Sequence, residues 1–122
     1  FRQRGMVMKK TKMLKKNYEF KKVFSNGKYY SGKTIEAFIL NNFQKINYLG
    51  LAISVKSGHA VQRNRVKRLL RENYKNVENK IKNGYSIVFL WKKNSDIKNA
   101  NFNQINLDIY EILKKANILI QE

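Results

Sequence analysis

The chain contains no cysteine and no proline, a single histidine and only eight acidic residues in 122. Without cysteine there is neither a disulfide framework nor a thiolate metal site, which suits the reducing cytoplasm. Without proline, element boundaries must be read from glycine, asparagine and charge. Hydrolysis of a phosphodiester by protein side chains needs a carboxylate metal cradle or a histidine-based acid–base pair. Here His59 stands alone, and Glu19, Glu36, Glu72, Glu78, Asp96, Asp108, Glu111 and Glu122 are scattered with no paired spacing. No phosphate-cradling glycine loop, zinc pattern or nucleophile elbow is present, so a self-contained active site in the protein is not expected. No apolar run approaches the roughly 18 residues of a membrane span, and the basic N-terminus lacks the apolar stretch of a secretory signal.

What is abundant is positive charge: 26 Lys and Arg, for a formal net charge of +18. Self-repulsion of that size destabilises a compact fold, and a polyanionic partner is its usual explanation. With 43% hydrophobic and 12% aromatic residues, the chain is no disordered basic tail. A folded, strongly basic chain points to nucleic acid first and an anionic membrane second. Residues 1–8 read as a basic extension and residues 9–119 as one RNA-binding domain. Met6 and Met8 are both candidate natural starts, and residues 1–5 are either an upstream extension or an expression remnant.

Residues 1–16 show no pattern of regular structure. Phe20, Val23 and Phe24 fall at helical spacing from Asn17 to Asn26, with Asn17 as N-cap and Asn26-Gly27 as a left-handed stop. Lys28 to Ser31 is a candidate edge strand, and Thr34 to Leu40 and Leu49 to Val55 read as strands. A long helix is expected from Val61 to about Ile81. Its apolar residues Val66, Leu69, Leu70, Tyr74, Val77 and Ile81 share one arc, and Arg65, Lys67, Arg68, Arg71 and Lys75 share the other. Tyr85 to Trp91 is a further strand, and Asn103 to Ala116 a last amphipathic helix. This order specifies an α+β or α/β fold with helices packed on a single sheet, and residues 49–91 form a βαβ unit if their strands are parallel neighbours.

The segment Arg63-Asn64-Arg65-Val66-Lys67-Arg68-Leu69-Leu70-Arg71 places five cations within nine residues near a helix N-terminus. Arginine binds phosphate bidentately and stacks on exposed bases, and the helix dipole adds to the field. An ordinary solvated face mixes signs, whereas this one carries little but Glu72 against its cations. If about six of these cations neutralise phosphates, log K falls against log salt with a slope near −4 to −5.

From Gly58-His59-Ala60-Val61-Gln62 through Arg63, Asn64, Arg65 and Arg68 to Glu72, the sequence resembles the signature of the bacterial ribonuclease P protein subunit, whose Arg-Asn-Arg-x-x-Arg core is intact. Tyr18 to Phe24 with Gly27-Lys28, Leu49 to Ser54, Gly84-Tyr85 and Leu113 to Ala116 extend the resemblance over about Lys9 to Leu119. Two positions depart from the family: Val55-Lys56 replaces a lysine pair, and His59 replaces an asparagine.

The resemblance implies a four-stranded sheet with helices on one side, order αβββαβα and a left-handed βαβ crossover. It also implies a subunit of the tRNA 5′-endoribonuclease, whose large RNA holds magnesium and cleaves precursor tRNA. The protein would bind that RNA through Arg63, Asn64, Arg65, Lys67, Arg68 and Arg71. It would grip the 5′ leader in a cleft with Phe20, Phe24 and Phe38, and with charge from Lys56 and Lys92. Each aromatic has an alternative as an ordinary core residue, and for Phe24 the two are evenly matched. Tyr85 and Trp91 are read as core or rim, and Tyr29 and Tyr30 lie near the cleft without assignment. A ribosomal or other RNA-binding protein without a processing role is the principal alternative. A major-groove DNA binder lacks the helix that should closely precede the basic one, and a membrane-surface helix would have to expose its apolar face.

Overall fold

The computed structural model describes residues 10–120; the expected extension at residues 1–8 lies outside them. The elements are β1 (Thr11–Met13), α1 (Asn17–Asn26), β2 (Lys28–Ser31), β3 (Ile35–Asn41), β4 (Asn47–Leu51), α2 (Ala60–Val77), β5 (Tyr85–Trp91) and α3 (Phe102–Ala116). The strands form one mixed sheet in the order β1-β4-β5-β3-β2. β4 runs parallel to both β1 and β5, while β3 is antiparallel to both β5 and β2.

Strand alternation decides what lies on each face. Ile35, Ala37 and Ile39 of β3, Ile87, Phe89 and Trp91 of β5 and Leu49 of β4 enter one core with Val66, Leu69, Leu70, Tyr74 and Val77 of α2 and Ile105, Ile109, Ile112 and Leu113 of α3. Residues of opposite parity, Phe38, Val88 and Gly50, lie in one row across the sheet and face α1, where Val23 is buried, Phe24 meets Phe38, and Phe20 closes over Gly50. The helices therefore do not all lie on one side, as the resemblance implies: α1 takes the face opposite α2 and α3.

Five strands replace the expected four. Three residues within a lysine-rich stretch carry no period of their own, and β1 forms because β4 offers it a partner, with Thr11 opposite Asn47 and Met13 opposite Leu49. The hydroxyls of Thr11 and Tyr74 share a 2.8 Å hydrogen bond that ties β1 to α2.

The α1 boundaries agree with the sequence, but its caps differ. Lys16, not Asn17, is the N-cap, and the Glu19 carboxylate accepts from Lys15 N and Lys16 N at 2.9 and 2.8 Å. Gly27 is extended, with φ −81°, and is no left-handed stop. Glycine is favoured there by space, because a Cβ would lie 2.6 Å from Val23 O and 3.1 Å from Ile39 O. The expected strand to Val55 stops at Leu51, and Ser54 Oγ accepts from Lys56 N in a 3₁₀ turn at Val55–Ser57. α2 ends at Val77, before a 3₁₀ turn at Glu78–Lys80, and Ile81 bridges to Leu119 instead of extending the helix.

Hydrogen bonds fix the hand of the β4–α2–β5 crossover. Leu49, with its side chain in the core, turns its carbonyl to Leu14 N on the β1 side at 2.8 Å, and Ala52, of opposite parity, turns its amide to Phe89 O on β5 at 2.9 Å. Viewed with its side chain forward and its strand running up, an L-residue turns its peptide groups to the right. Seen from the α2 side, β1 is then to the right of β4 and β5 to the left. The crossover is left-handed, against the prevailing rule.

Candidate nucleic-acid interface

Two surfaces carry the residues singled out by the sequence, and the sheet separates them. The first is the outer face of α2. Val66, Leu69 and Leu70 are buried beneath it, so the intervening positions must face outward. Asn64, Arg65 and Arg68 are exposed, and Lys67 and Arg71 are half-buried. Among the described residues none of these cations is ion-paired; the one such pair is Lys115–Glu111 at 2.9 Å. The charge on α2 is thus open to an external anion. Partial burial, and then the neighbouring Arg71 charge, holds the Lys75 ammonium below its ordinary range.

Arg63 differs from the rest. Its guanidinium donates to Gly58 O at 2.7 Å and reaches Val55 O at 3.5 Å, bracing the turn that launches α2. Gln62 Oε1 accepts from His59 N at 2.9 Å and caps the same end. His59 is exposed at the N-cap.

The second surface lies between α1 and the sheet. Phe24 stands edge-on to Phe38, with centroids 5.2 Å apart, and Phe20 covers Gly50, where a Cβ would come 2.6 Å from its ring. All three phenylalanines are half-buried: they have packing partners and also open surface, which settles Phe24 as neither wholly core nor free. Tyr29, which the sequence left unassigned, joins them. Its ring lies 5.4 Å from that of Phe38, its hydroxyl donates to Glu36 Oε2 at 2.5 Å, and it is 51% exposed. The Glu36 bond, with minor desolvation, raises the Tyr29 phenol above its ordinary pKa. The available signal was strand parity: Tyr29 pairs with Phe38 and shares its face, whereas Tyr30 pairs with Ala37 and packs against the core.

The two lysines expected to add charge to the cleft are less closely gathered. Lys56 is exposed in the turn after β4, and Lys92 follows β5 and donates through Nζ to Gly32 O at 2.9 Å. Neither ammonium lies over a cleft ring; among the described residues the one cation–π contact is Lys80 with Tyr110, at 5.7 Å.

A cationic helical ridge on one side of an α+β sheet and a half-open aromatic cleft on the other define a class: small, basic RNA-binding domains. The comparisons name the family. The family model described as Ribonuclease P matches residues 8–117. A Clostridioides difficile (strain 630) protein called ribonuclease P protein component is 40% identical over 116 residues, covering 94% of this chain and 100% of that one. A Clostridium botulinum (strain Loch Maree) counterpart is 40% identical over 112 residues, with 91% and 98% covered. The ribonuclease P protein structure from Staphylococcus aureus superposes with a TM-score of 0.76 at 28% identity, covering 87% of this chain and 95% of that one. That from Thermotoga maritima, at 24% identity, shares the fold with a TM-score of 0.77, covering 85% and 96%. The chain belongs to the ribonuclease P protein family, the protein subunit of a bacterial tRNA-processing ribonuclease.

Proposed function

We infer that this chain docks onto the catalytic RNA of ribonuclease P through the outer face of α2, and holds the 5′ leader of precursor tRNA in the cleft between α1 and the sheet. Asn64, Arg65, Lys67, Arg68 and Arg71 make the RNA contacts, and Arg63 shapes the turn from which they project. Phe20, Phe24 and Phe38, with Tyr29 beside them, supply stacking surface for unpaired bases. Lys56 and Lys92 add charge at the end of the sheet. The RNA subunit cleaves, using magnesium ions that it holds itself.

The observation that carries this reading is the separation of two unlike surfaces by one sheet: exposed arginines without an ion pair among the described residues on one side, and clustered, half-open rings on the other. Bringing a polyanionic substrate to a polyanionic ribozyme is electrostatically costly, and a protein of charge +18 between them offsets that cost. A leader grip also separates precursor from mature tRNA, which has no leader. The family match disfavours a ribosomal or structural role. A membrane-surface role has little support, since the apolar face of α2 is buried in the core and no described helix is long and apolar enough to cross a bilayer.

The test is reconstitution with the catalytic RNA at low magnesium. Addition of this protein should restore precursor cleavage; no gain in cleavage would overturn the reading.

A further inference from the structure

A cavity of about 440 Å³ opens on the flank of α1 that carries Lys22 and Asn26, and none of Phe20, Phe24 or Phe38 lines it. It lies beside the ring cluster and not within it, over the end of the same sheet face marked by Leu40, Tyr48 and Ser86. Two rings stand at it largely in solvent: Tyr18 is 69% exposed and Phe43 90% exposed, and Tyr48 completes the wall. Phe43 adopts φ 57°, a left-handed conformation that is unfavourable for a bulky residue. Two side chains hold it there, Asn41 Oδ1 accepting from Phe43 N at 2.9 Å and Asn42 Oδ1 from Gln44 N at 2.8 Å. The loop thus fixes an aromatic ring in solvent beside a cavity.

Two side-chain amides of this flank keep free hydrogen-bonding atoms. Among the described residues the Asn26 side chain makes no hydrogen bond, and Gln44 uses only Oε1, which accepts from Tyr48 OH at 3.3 Å. A free amide offers the paired donor and acceptor that match a base edge. Glu19 and Tyr48 also line an adjoining hollow, which is walled by Lys12, Lys15 and Lys16. None of those three ammonium groups is ion-paired within the described residues. Glu19, the acid between them, already accepts two backbone amides as the α1 cap.

We propose that this flank is a second site for single-stranded RNA, in which one unpaired base enters the cavity between Tyr18, Phe43 and Tyr48 and the adjacent phosphates lie over Lys12, Lys15 and Lys16. Rings beside a cationic track are the combination that holds unpaired strands. An acidic peptide would satisfy the lysines but leave the rings and the Asn26 amide unused. With the cleft on the opposite flank of α1, the protein offers two tracks for unpaired RNA, one on each side of one helix.

The test is NMR titration of the ¹⁵N-labelled full chain with a single-stranded oligoadenylate, with an RNA duplex of equal length, and with a polyglutamate peptide. The backbone signals of Tyr18, Asn26, Phe43 and Gln44 should move saturably with the single strand, and more weakly with duplex or peptide. Phe43→Asn, which suits a left-handed backbone, and Tyr18→Ala should each weaken this response about tenfold, while Leu107→Ala, at an exposed position on α3, leaves it unchanged. Movement confined to the Phe20 flank, an undiminished response in both variants, or an equal response to polyglutamate overturns the proposal. Concentration-dependent loss of these same signals with dimerisation in the ultracentrifuge also overturns it, by assigning the flank to a second copy. Loss of the Phe20 and Phe24 response alone counts against the leader cleft and leaves this site standing.

Discussion

Phe24 meets Phe38 edge to face, their centroids 5.2 Å apart and their planes at 88°, and through this contact α1 and β3 share one half-open surface. Phe38 also touches Tyr29 at 5.4 Å, so its removal loosens the aromatic group from its centre. Phe38→Ala should weaken holoenzyme binding of precursor tRNA about tenfold, the value of one stacked base, and leave mature tRNA binding unchanged. Paired equilibrium binding curves for the two ligands check this. Equal losses for both would remove the leader assignment.

Arg65 and Arg68 are exposed and, among the described residues, lack a carboxylate partner, so replacing them costs the fold little. The double variant Arg65→Ala, Arg68→Ala should bind the catalytic RNA with a salt dependence shallower by about 1.4 to 1.8 in log K against log salt, for two lost phosphate contacts. The melting temperature should stay within about 2 °C, as expected for surface changes worth little to stability. An unchanged slope would show that these two arginines are not at the RNA.

Asp108 is buried on α3 and accepts from Lys33 N at 3.1 Å, Thr34 N at 2.9 Å and Gln104 Nε2 at 2.9 Å, and from the Thr34 hydroxyl. It ties the β2–β3 turn to α3. Gly32 fits against it closely; a Cβ there would come 3.0 Å from that of Asp108. Asp108→Ala strands those donors and should cost about 2 to 4 kcal/mol in urea unfolding, as for loss of a buried charged acceptor. A loss below about 0.5 kcal/mol, the level of an ordinary surface change, would mean that the turn holds itself.

Burial pushes the Tyr74 phenol up to about 12, with its bond to Thr11 opposing the shift. A phenol whose pKa is higher folded than unfolded retains its proton in the native state while the unfolded chain has lost it. Stability is therefore fully present below about pH 10 and falls as pH rises toward 12, by about 1.4 kcal/mol per unit for this group. Tyr74→Phe should flatten that alkaline decline relative to wild type, although it loses the Thr11 bond at neutral pH. Parallel urea titrations at pH 8 and pH 11 distinguish the two effects, and identical alkaline slopes would refute the assignment.

The α2 ridge was legible in the sequence because helical period sorts apolar from charged positions along a single element, and Val66, Leu69 and Leu70 do enter the core. Tyr85–Trp91 and Lys28–Ser31 were legible as strands for a similar local reason. Five strands in place of four, the extended Gly27 and the role of Arg63 were not, because each depends on a distant partner: β4 for β1, Ile39 O for Gly27, and the Val55 and Gly58 carbonyls for Arg63.

The sequence by itself determined the charge, the basic helix with its buried face, and the family signature, since composition and period survive without any knowledge of neighbours. Only the tertiary structure decided that α1 lies across the face opposite α2, that Tyr29 joins Phe38, and that Tyr18 and Phe43 come to one cavity. Strand pairing and register bring together residues far apart in the chain, and a local pattern carries no record of which strand will lie beside which.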